Sequence, residues 1–221
     1  MDGKTLAWLE GVLGYRPRRE ELFERALTHR SFGGDHYERL EFLGDRVLGL
    51  AVAEWLIETY GGEAEGELSA RLNALVAGEV CAEIGRDIGL PDHLRLGKQA
   101  QSDGVFQSDN VLGDVIESLI GALYLDAGLD TAAAFIRASW GDRVDRLAAP
   151  PKHPKAALQE WTAANNRRPP EYKVVDRAGP DHALRFTVSV SVTGQDEATG
   201  EGSSKQEAEK AAAAAMLARL K

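Results

Sequence analysis

The stretch ERLEFLGD, residues 38–45, places three carboxylates on one side of a predicted helix. Glu38, Glu41 and Asp45 stand at positions i, i+3 and i+7, which share a helical face. Apolar residues continue at helical spacing beyond them, so the pattern predicts a helix from about residue 36 to residue 60. This helix is expected to carry one half of an acidic site.

A second acidic pair, Asp114 and Glu117, lies in a strongly apolar segment at spacing i, i+3. Acids in such surroundings are costly to bury unless they are paired or bound to metal. Gly44 and Gly113 stand beside the two acidic groups, where helix propensity disfavours glycine, and would let the two helices approach closely. Oxygen ligands that converge without a histidine suit Mg²⁺ or Mn²⁺ rather than zinc. Solvated helix faces with ordinary ion pairs remain the alternative.

The composition indicates a globular protein with two modules of different charge. Residues 1–151 carry 15 Lys+Arg against 26 Asp+Glu, a net charge of -11, whereas residues 152–221 carry 11 against 9, a net charge of +2. Prolines at 150, 151 and 154 predict a short stiff linker over 150–154. The sequence shows no signal peptide and no apolar run of the roughly 20 residues that a membrane span needs. The single cysteine, Cys81, fits a reducing cytoplasm.

The two modules differ in their hydrophobic periodicity. Upstream of the linker, helical spacing predicts an all-α module with helices at 18–26, 36–60, 67–88, 108–126 and 129–147. The apolar side of the second of these helices is predicted to comprise Leu40, Leu43, Val47, Leu50 and Trp55. Downstream, the order is α-β-β-β-α, with a helix at 155–164 and strands at 171–177, 186–192 and 197–201. Ser204 and Glu207 have capping-box spacing at the start of the last helix.

Several motifs resemble those of the bacterial ribonuclease III family. ERLEFLGD matches that family's signature, although Arg46 follows it where a small residue is typical, and THRS (28–31) and GDVIESLIGALYLD (113–126) match in order and spacing. ALQEW (157–161), GPDH (179–182) and GSSK (202–205) resemble a double-stranded-RNA-binding domain. The resemblance implies an all-α ribonuclease III endonuclease domain over 1–149, the linker, and an α-β-β-β-α double-stranded-RNA-binding domain over 155–221.

The resemblance also implies roles for residues of the first domain. Glu41, Asp114 and Glu117 match metal-coordinating acids, and Asp45 matches an essential acid beside them, so Asp45 and Glu117 are the expected catalytic residues. Glu38 matches an acid that helps to bind RNA, and Phe42 matches a residue that enters a pocket on a dimer partner. The expected cofactor is Mg²⁺, with Mn²⁺ as a substitute.

In the second domain the resemblance implies a surface for duplex RNA, which such domains recognise by shape. Gln159, Glu160 and His182 match contacts in the minor groove, and Ser204, Lys205 and Lys210 match the phosphate-binding face. Gln206 stands where the family usually has the second of two paired lysines. The missing charge is expected to weaken RNA binding and to reduce its salt dependence.

The expected protein is a cytoplasmic homodimeric endoribonuclease that acts on double-stranded RNA and has no membrane partner. Metal-activated water is expected to leave 5′-phosphate and 3′-hydroxyl ends with short 3′ overhangs, in ribosomal RNA precursors and other structured transcripts. One alternative is a non-catalytic RNA-binding factor on the same fold, which the intact acids disfavour. The other is an acidic helical scaffold with an appended interaction domain.

Overall fold

Two long helices that cross at closely packed glycines form the centre of the first of the chain's two units, Met1–Pro151. The structure is a computed structural model that describes residues 1–146, 154–178 and 184–220. Within the described part of this unit, the α-helices are α1 (Gly3–Leu13), α2 (Glu20–Ala26), α3 (Glu38–Thr59), α4 (Glu65–Leu75), α5 (Gly78–Asp87), α6 (Lys98–Ser102), α7 (Asp109–Ala127), α8 (Leu129–Trp140) and α9 (Arg143–Arg146). Short 3-10 turns span Arg30–Phe32, Leu90–His93 and Val105–Gln107.

Helices α3 and α7 come into direct backbone contact at two glycines. A Cβ atom on Gly44 would lie 1.7 Å from the carbonyl oxygen of Glu117, and one on Gly121 would lie 2.3 Å from that of Leu40. The predicted close approach at Gly44 is therefore confirmed. The predicted role of Gly113 in the same contact is wrong, because Gly113 packs against Gly78 of α5, whose carbonyl oxygen would be 3.0 Å from its Cβ.

Of the five residues predicted for the apolar side of α3, Leu40 and Val47 are buried, and Leu43 and Trp55 are partly buried against the core. The buried residues of α3 are Leu40, Gly44, Val47, Leu48, Ala51, Val52 and Leu56. Leu50 is 57% exposed, contrary to the prediction. It lies two residues from the buried Leu48, about 200° around the helix, and so it points away from α7.

Two predicted helices are divided in the structure. The segment 67–88 forms α4 and α5, because Ala77 between them is extended, with φ −63° and ψ 142°. The segment 129–147 ends as α8 at Trp140, because Gly141 leaves the helical region with φ +51° and ψ −130°. The other predicted helices of this unit occur with boundaries shifted by one to two residues.

The second unit, Lys152–Lys221, has the predicted α-β-β-β-α order. Its elements are α10 (Pro154–Ala164), β1 (Glu171–Ala178), β2 (Arg185–Ser191), β3 (Ala198–Gly202) and α11 (Lys205–Arg219). The sheet is antiparallel in the order β1-β2-β3, with Val188 opposite Val174 on one side and Gly200 on the other. Its core is formed by Leu158, Val188, Val190, Val192, Ala198, Ala208, Ala212, Ala213 and Met216.

The last helix lies close to the sheet because both sides of the contact are small. A Cβ atom on Gly200 would be 2.1 Å from the amide nitrogen of Ala212, so glycine in β3 faces the alanine-rich side of α11. The predicted cap of α11 is confirmed, since the Ser204 hydroxyl accepts from the Glu207 amide at 3.2 Å. The Glu207 carboxylate in turn accepts from the amide of Ser203 rather than from that of Ser204.

The predicted linker at 150–154 lies outside the described residues except for Pro154, which begins α10. Helices within the described ranges lack the combination of length and apolar character that crossing a membrane requires.

Candidate active site

Helices α3 and α7 carry four acids whose charges act on one another. The pKa of Glu117 is raised to about 8, first by burial and then by repulsion from Asp45, Glu41 and Asp114. Burial likewise raises the pKa of Glu41, with further repulsion from Asp114, Glu38 and Asp45. The charges of the two acidic groups therefore act on each other across the backbone contact at Gly44, and the convergence of their oxygens on a metal stays a prediction.

Asp114 is held by a tyrosine that sequence reasoning did not identify. The Tyr37 hydroxyl donates a hydrogen bond to Asp114 Oδ2 at 3.1 Å. Burial raises the pKa of Asp114, whereas the bond from Tyr37 lowers it and the charge of Glu38 raises it further. The available signal was the position of Tyr37, which immediately precedes the signature and lies one helical turn before Glu41.

His29 occupies a packing position beside Tyr37. Its side chain is buried, its ring lies 5.9 Å from the Tyr37 ring, and its Nδ1 accepts from the Ser31 amide at 3.1 Å. Burial, followed by the charge of Arg30, lowers the pKa of His29. A largely neutral ring against Tyr37 suits a packing role near the site.

Arg46 is a cation beside the acids that sequence reasoning left without a role. Its guanidinium contacts the Asp45 carboxylate and lies 4.7 Å from the centre of the Phe42 ring. Its charge partly opposes the rise in the pKa of Glu41 and Glu117. The sequence signal for this role was that Arg46 follows ERLEFLGD at a position where a small residue is typical.

The donor set has the chemistry that a divalent cation requires. In the described ranges, no group of three or more His, Cys, Asp or Glu side chains is already arranged to hold a metal ion. The four clustered acids nevertheless offer only oxygen ligands, which Mg²⁺ and Mn²⁺ prefer. A cation among them would remove the repulsion that raises the pKa of Glu117, so these residues fit a divalent metal.

The two remaining candidates on α3 lie outside the acidic cluster. Glu38 is exposed, with a carboxylate oxygen 3.8 Å from His36 Nδ1, and its charge still reaches Glu41 and Asp114. Phe42 is 64% exposed. Leu50 and Ile57, exposed to 57% and 61%, extend an apolar stripe from Phe42 along the side of α3 that faces away from α7.

The candidate RNA-binding residues of the second unit are exposed where they are described. Gln159 and Glu160 lie on the surface of α10, and Ser204, Lys205 and Lys210 lie on the surface at the start of α11. His182 lies outside the described residues.

Acidic neighbours reduce the positive charge of this surface. Lys205 Nζ is 3.8 Å from Glu209, which also binds Lys155 Nζ at 2.5 Å. Bonds from Ser203, and to a smaller extent the charge of Lys210, lower the pKa of Glu207. Both candidate lysines therefore lie beside an acid, in addition to the missing lysine at Gln206.

Comparison with known proteins identifies both units. Residues 19–142 match the family described as Ribonuclease-III-like, and residues 154–220 match the double-stranded RNA binding motif. A protein named Ribonuclease 3 from Zymomonas mobilis is 56% identical to this chain, and the match covers 96% of this chain and 86% of that protein. A protein of the same name from Caulobacter vibrioides is 48% identical, and the match covers 96% of this chain and 94% of that protein. The crystal structure of the nuclease domain of ribonuclease III from Campylobacter jejuni has a TM-score of 0.59 at 34% identity, covering 64% of this chain and 98% of that one.

A second structure of that Campylobacter domain describes structural flexibility in a region involved in its dimer formation. It has a TM-score of 0.59 at 36% identity and covers 61% of this chain and 94% of that one. Together the matches confirm the predicted family, the predicted two-domain fold class and the predicted enzyme class.

Proposed function

This chain belongs to the ribonuclease III family, and we propose that it is a Mg²⁺-dependent homodimer that cuts both strands of duplex RNA. It is an endoribonuclease of that family acting on double-stranded RNA. The observation that carries the proposal is the acidic cluster of α3 and α7, in which burial, followed by the charges of three other carboxylates, raises the pKa of Glu117 to about 8. Such a cluster is costly for the protein unless a cation neutralises it.

In this proposal Glu41, Asp114 and Glu117 hold the metal, and Asp45 and Glu117 are the catalytic residues. Family membership implies a divalent metal, for which the proposal names Mg²⁺, with Mn²⁺ as a substitute. When bound, Mg²⁺ activates water and stabilises the charge that develops on the leaving 3′ oxygen. Attack of water on phosphorus with departure of that oxygen leaves 5′-phosphate and 3′-hydroxyl ends.

The protein's own groups orient this cluster before RNA arrives. The backbone contact at Gly44 fixes the spacing of α3 and α7, and Tyr37 holds one oxygen of Asp114. Arg46 keeps a positive charge against Asp45. These contacts support a site whose side chains are positioned by the fold and whose excess negative charge awaits a cation.

Each unit is proposed to contact duplex RNA. Gln159, Glu160 and His182 serve the minor groove, Ser204, Lys205 and Lys210 serve the phosphates, and Glu38 contacts RNA beside the cluster. The double-stranded RNA binding motif over 154–220 supports this assignment, as does the exposure of the described members. Such motifs recognise the shape and 2′-hydroxyls of the duplex rather than its sequence.

The proposed dimer uses the exposed apolar side of α3. Phe42, Leu50 and Ile57 are each more than half exposed in the single chain, and large apolar residues exposed on one side of a helix favour an interaction surface. A two-fold dimer would present one acidic cluster to each strand of a duplex, and staggered cuts would give short 3′ overhangs. We further propose a cytoplasmic enzyme that processes ribosomal RNA precursors and other structured transcripts.

The substitution Glu117→Gln tests this function, because it keeps the size of the side chain and removes its charge. We expect duplex binding to persist while cleavage in Mg²⁺ falls by orders of magnitude. Calcium, which tolerates irregular coordination, should support binding without efficient cleavage. Glu21→Gln, at an exposed position of α2 that has no proposed role in metal binding, RNA binding or dimerisation, is the control and should cleave normally. Near-normal turnover by Glu117→Gln would refute the metal assignment, and inactivity of the unaltered chain would favour a non-catalytic RNA-binding factor.

A further inference from the structure

We propose that Tyr37 is a positioning residue that fixes the Asp114 carboxylate in the orientation in which it binds the divalent cation. The inference rests on the proposed function, because it takes Asp114 as a metal ligand. Tyr37 itself touches neither metal nor RNA in this proposal. It acts through the 3.1 Å hydrogen bond from its hydroxyl to Asp114 Oδ2.

The Tyr37 side chain is held in place on several sides. It is only 5% exposed and belongs to the hydrophobic core of the first unit. Its amide donates to the Thr28 carbonyl oxygen at 3.0 Å, and the buried His29 ring lies 5.9 Å from its own ring. A hydroxyl on so constrained a ring has a fixed position, and it can therefore fix its partner.

Asp114 needs such a partner because the last side-chain torsion of an aspartate does not fix the orientation of its carboxylate. Rotation of a carboxylate about its last bond is broad and has no sharp staggered minima. Among the described residues, no Lys or Arg forms an ion pair with Asp114, so the Tyr37 bond is what sets the plane of the carboxylate. A bond at one oxygen leaves further lone pairs of the group for a cation.

Tyr37 also contacts the backbone of Glu41 at the start of α3. Its carbonyl oxygen accepts from the Glu41 amide at 3.0 Å in the first turn of α3. One residue therefore holds Glu41 through its backbone and Asp114 through its side chain, and so connects the two halves of the cluster. Partners that hold metal ligands from outside the coordination sphere typically contribute roughly 10- to 100-fold to metal affinity or activity.

The chain contains a matched control for the same chemical bond. The Tyr15 hydroxyl donates to Asp126 Oδ2, also at 3.1 Å, and Asp126 is bound to the Arg18 amide and to Arg19 rather than to the cluster. Tyr37→Phe and Tyr15→Phe each remove one phenol-to-carboxylate bond and retain the ring. A purely structural role would change thermal unfolding in both variants and Mn²⁺ affinity specifically in neither.

The test measures Mn²⁺ binding to the full chain without RNA, from the electron paramagnetic resonance signal of free Mn²⁺. Tyr37→Phe should raise the Mn²⁺ dissociation constant roughly 10-fold or more, whereas Tyr15→Phe should leave it unchanged. Thermal unfolding of both variants reports the structural cost separately. In cleavage assays, Tyr37→Phe should need a proportionally higher Mg²⁺ concentration and recover most of its rate at saturation.

Asp114→Asn separates failure of this inference from failure of the proposed function. If Asp114→Asn loses Mn²⁺ binding while Tyr37→Phe binds as tightly as the unaltered chain, or more tightly, the positioning role is wrong and the metal site stands. Equal weakening by Tyr37→Phe and Tyr15→Phe would also overturn the positioning role. If Asp114→Asn itself binds Mn²⁺ normally, the metal assignment fails and the inference fails with it.

Discussion

Replacing Gly44 with alanine should destabilise the first unit severely, because the added methyl group has no space. Its Cβ would lie 1.7 Å from the Glu117 carbonyl oxygen and 2.9 Å from the Gly121 amide nitrogen. Both neighbours are backbone atoms of a buried helix, so no side chain can rotate away. Helix α3 would have to retreat by about 1.7 Å to reach the 3.4 Å of an ordinary contact.

The expected cost follows from this displacement. Overpacking a core by smaller amounts costs about 1–3 kcal/mol and occasionally more, and alanine recovers about 1 kcal/mol in helix propensity. A displacement of about 1.7 Å exceeds those cases, so we take a gross cost of about 4 kcal/mol and expect a net loss of about 3 kcal/mol. For a unit of this size that corresponds to a melting temperature lower by roughly 6–12 °C. The retreat would also separate Glu41 and Asp45 from Asp114 and Glu117 and so weaken Mn²⁺ binding.

Calorimetry of the full chain, with Mn²⁺ titrations below the transition, measures both effects. The control is Gly11→Ala in α1, where a Cβ atom would meet nothing within 4 Å. That variant should be unchanged or slightly more stable, since alanine is the better helix former. A Gly44→Ala protein that melts with the unaltered chain and binds metal equally well would refute the argument that this contact sets the site.

Three further outcomes are expected. Without metal, the raised pKa of Glu117 contributes stability that is fully present below pH 4.5 and is lost as the pH rises to about 8. In a chelator, Glu117→Gln should therefore lack this decline and be about 2 kcal/mol more stable than the unaltered chain at pH 8, a value discounted for partial solvent exposure. Thermal melts of the two proteins that change in parallel with pH would contradict this expectation. Phe42→Ala should weaken dimerisation by roughly 3–5 kcal/mol in sedimentation experiments, and an unchanged association constant would exclude Phe42 from the interface. Lys205→Gln should reduce the slope of log affinity against log salt concentration by about 0.9, whereas an unchanged slope would mean that Lys205 stays with Glu209.

The acidic site was predictable because its spacing follows helical geometry. Carboxylates at i, i+3 and i+7, and a second pair at i, i+3, define faces that any helix would present. The alternating β2 strand was predictable for the same reason, since Val188 and Val190 enter one core. Local periodicity is sufficient to predict which residues share a face of one helix or strand.

Hydrophobic periodicity could not predict which elements contact each other. Gly113 and Gly121 lie in one apolar helix and both meet another backbone, yet only Gly121 meets α3. The choice depends on how α3 and α5 cross α7, which no single segment specifies. The hydrogen bond from Tyr37 to Asp114 spans 77 residues and escapes local patterns for the same reason. The outward position of Leu50 shows that i, i+3 spacing from one buried residue does not define the centre of the buried face.

The most direct test of the central claim is to map the ends left on each strand of a long duplex RNA. The unaltered chain and Glu117→Gln are incubated with the duplex in Mg²⁺ and in a chelator. We predict that only the unaltered chain in Mg²⁺ cuts, that both strands are cut with short 3′ overhangs, and that the new ends are 5′-phosphate and 3′-hydroxyl. Cleavage that persists in the chelator, or 2′,3′-cyclic phosphate ends, would contradict a mechanism in which the acidic cluster works through a divalent metal.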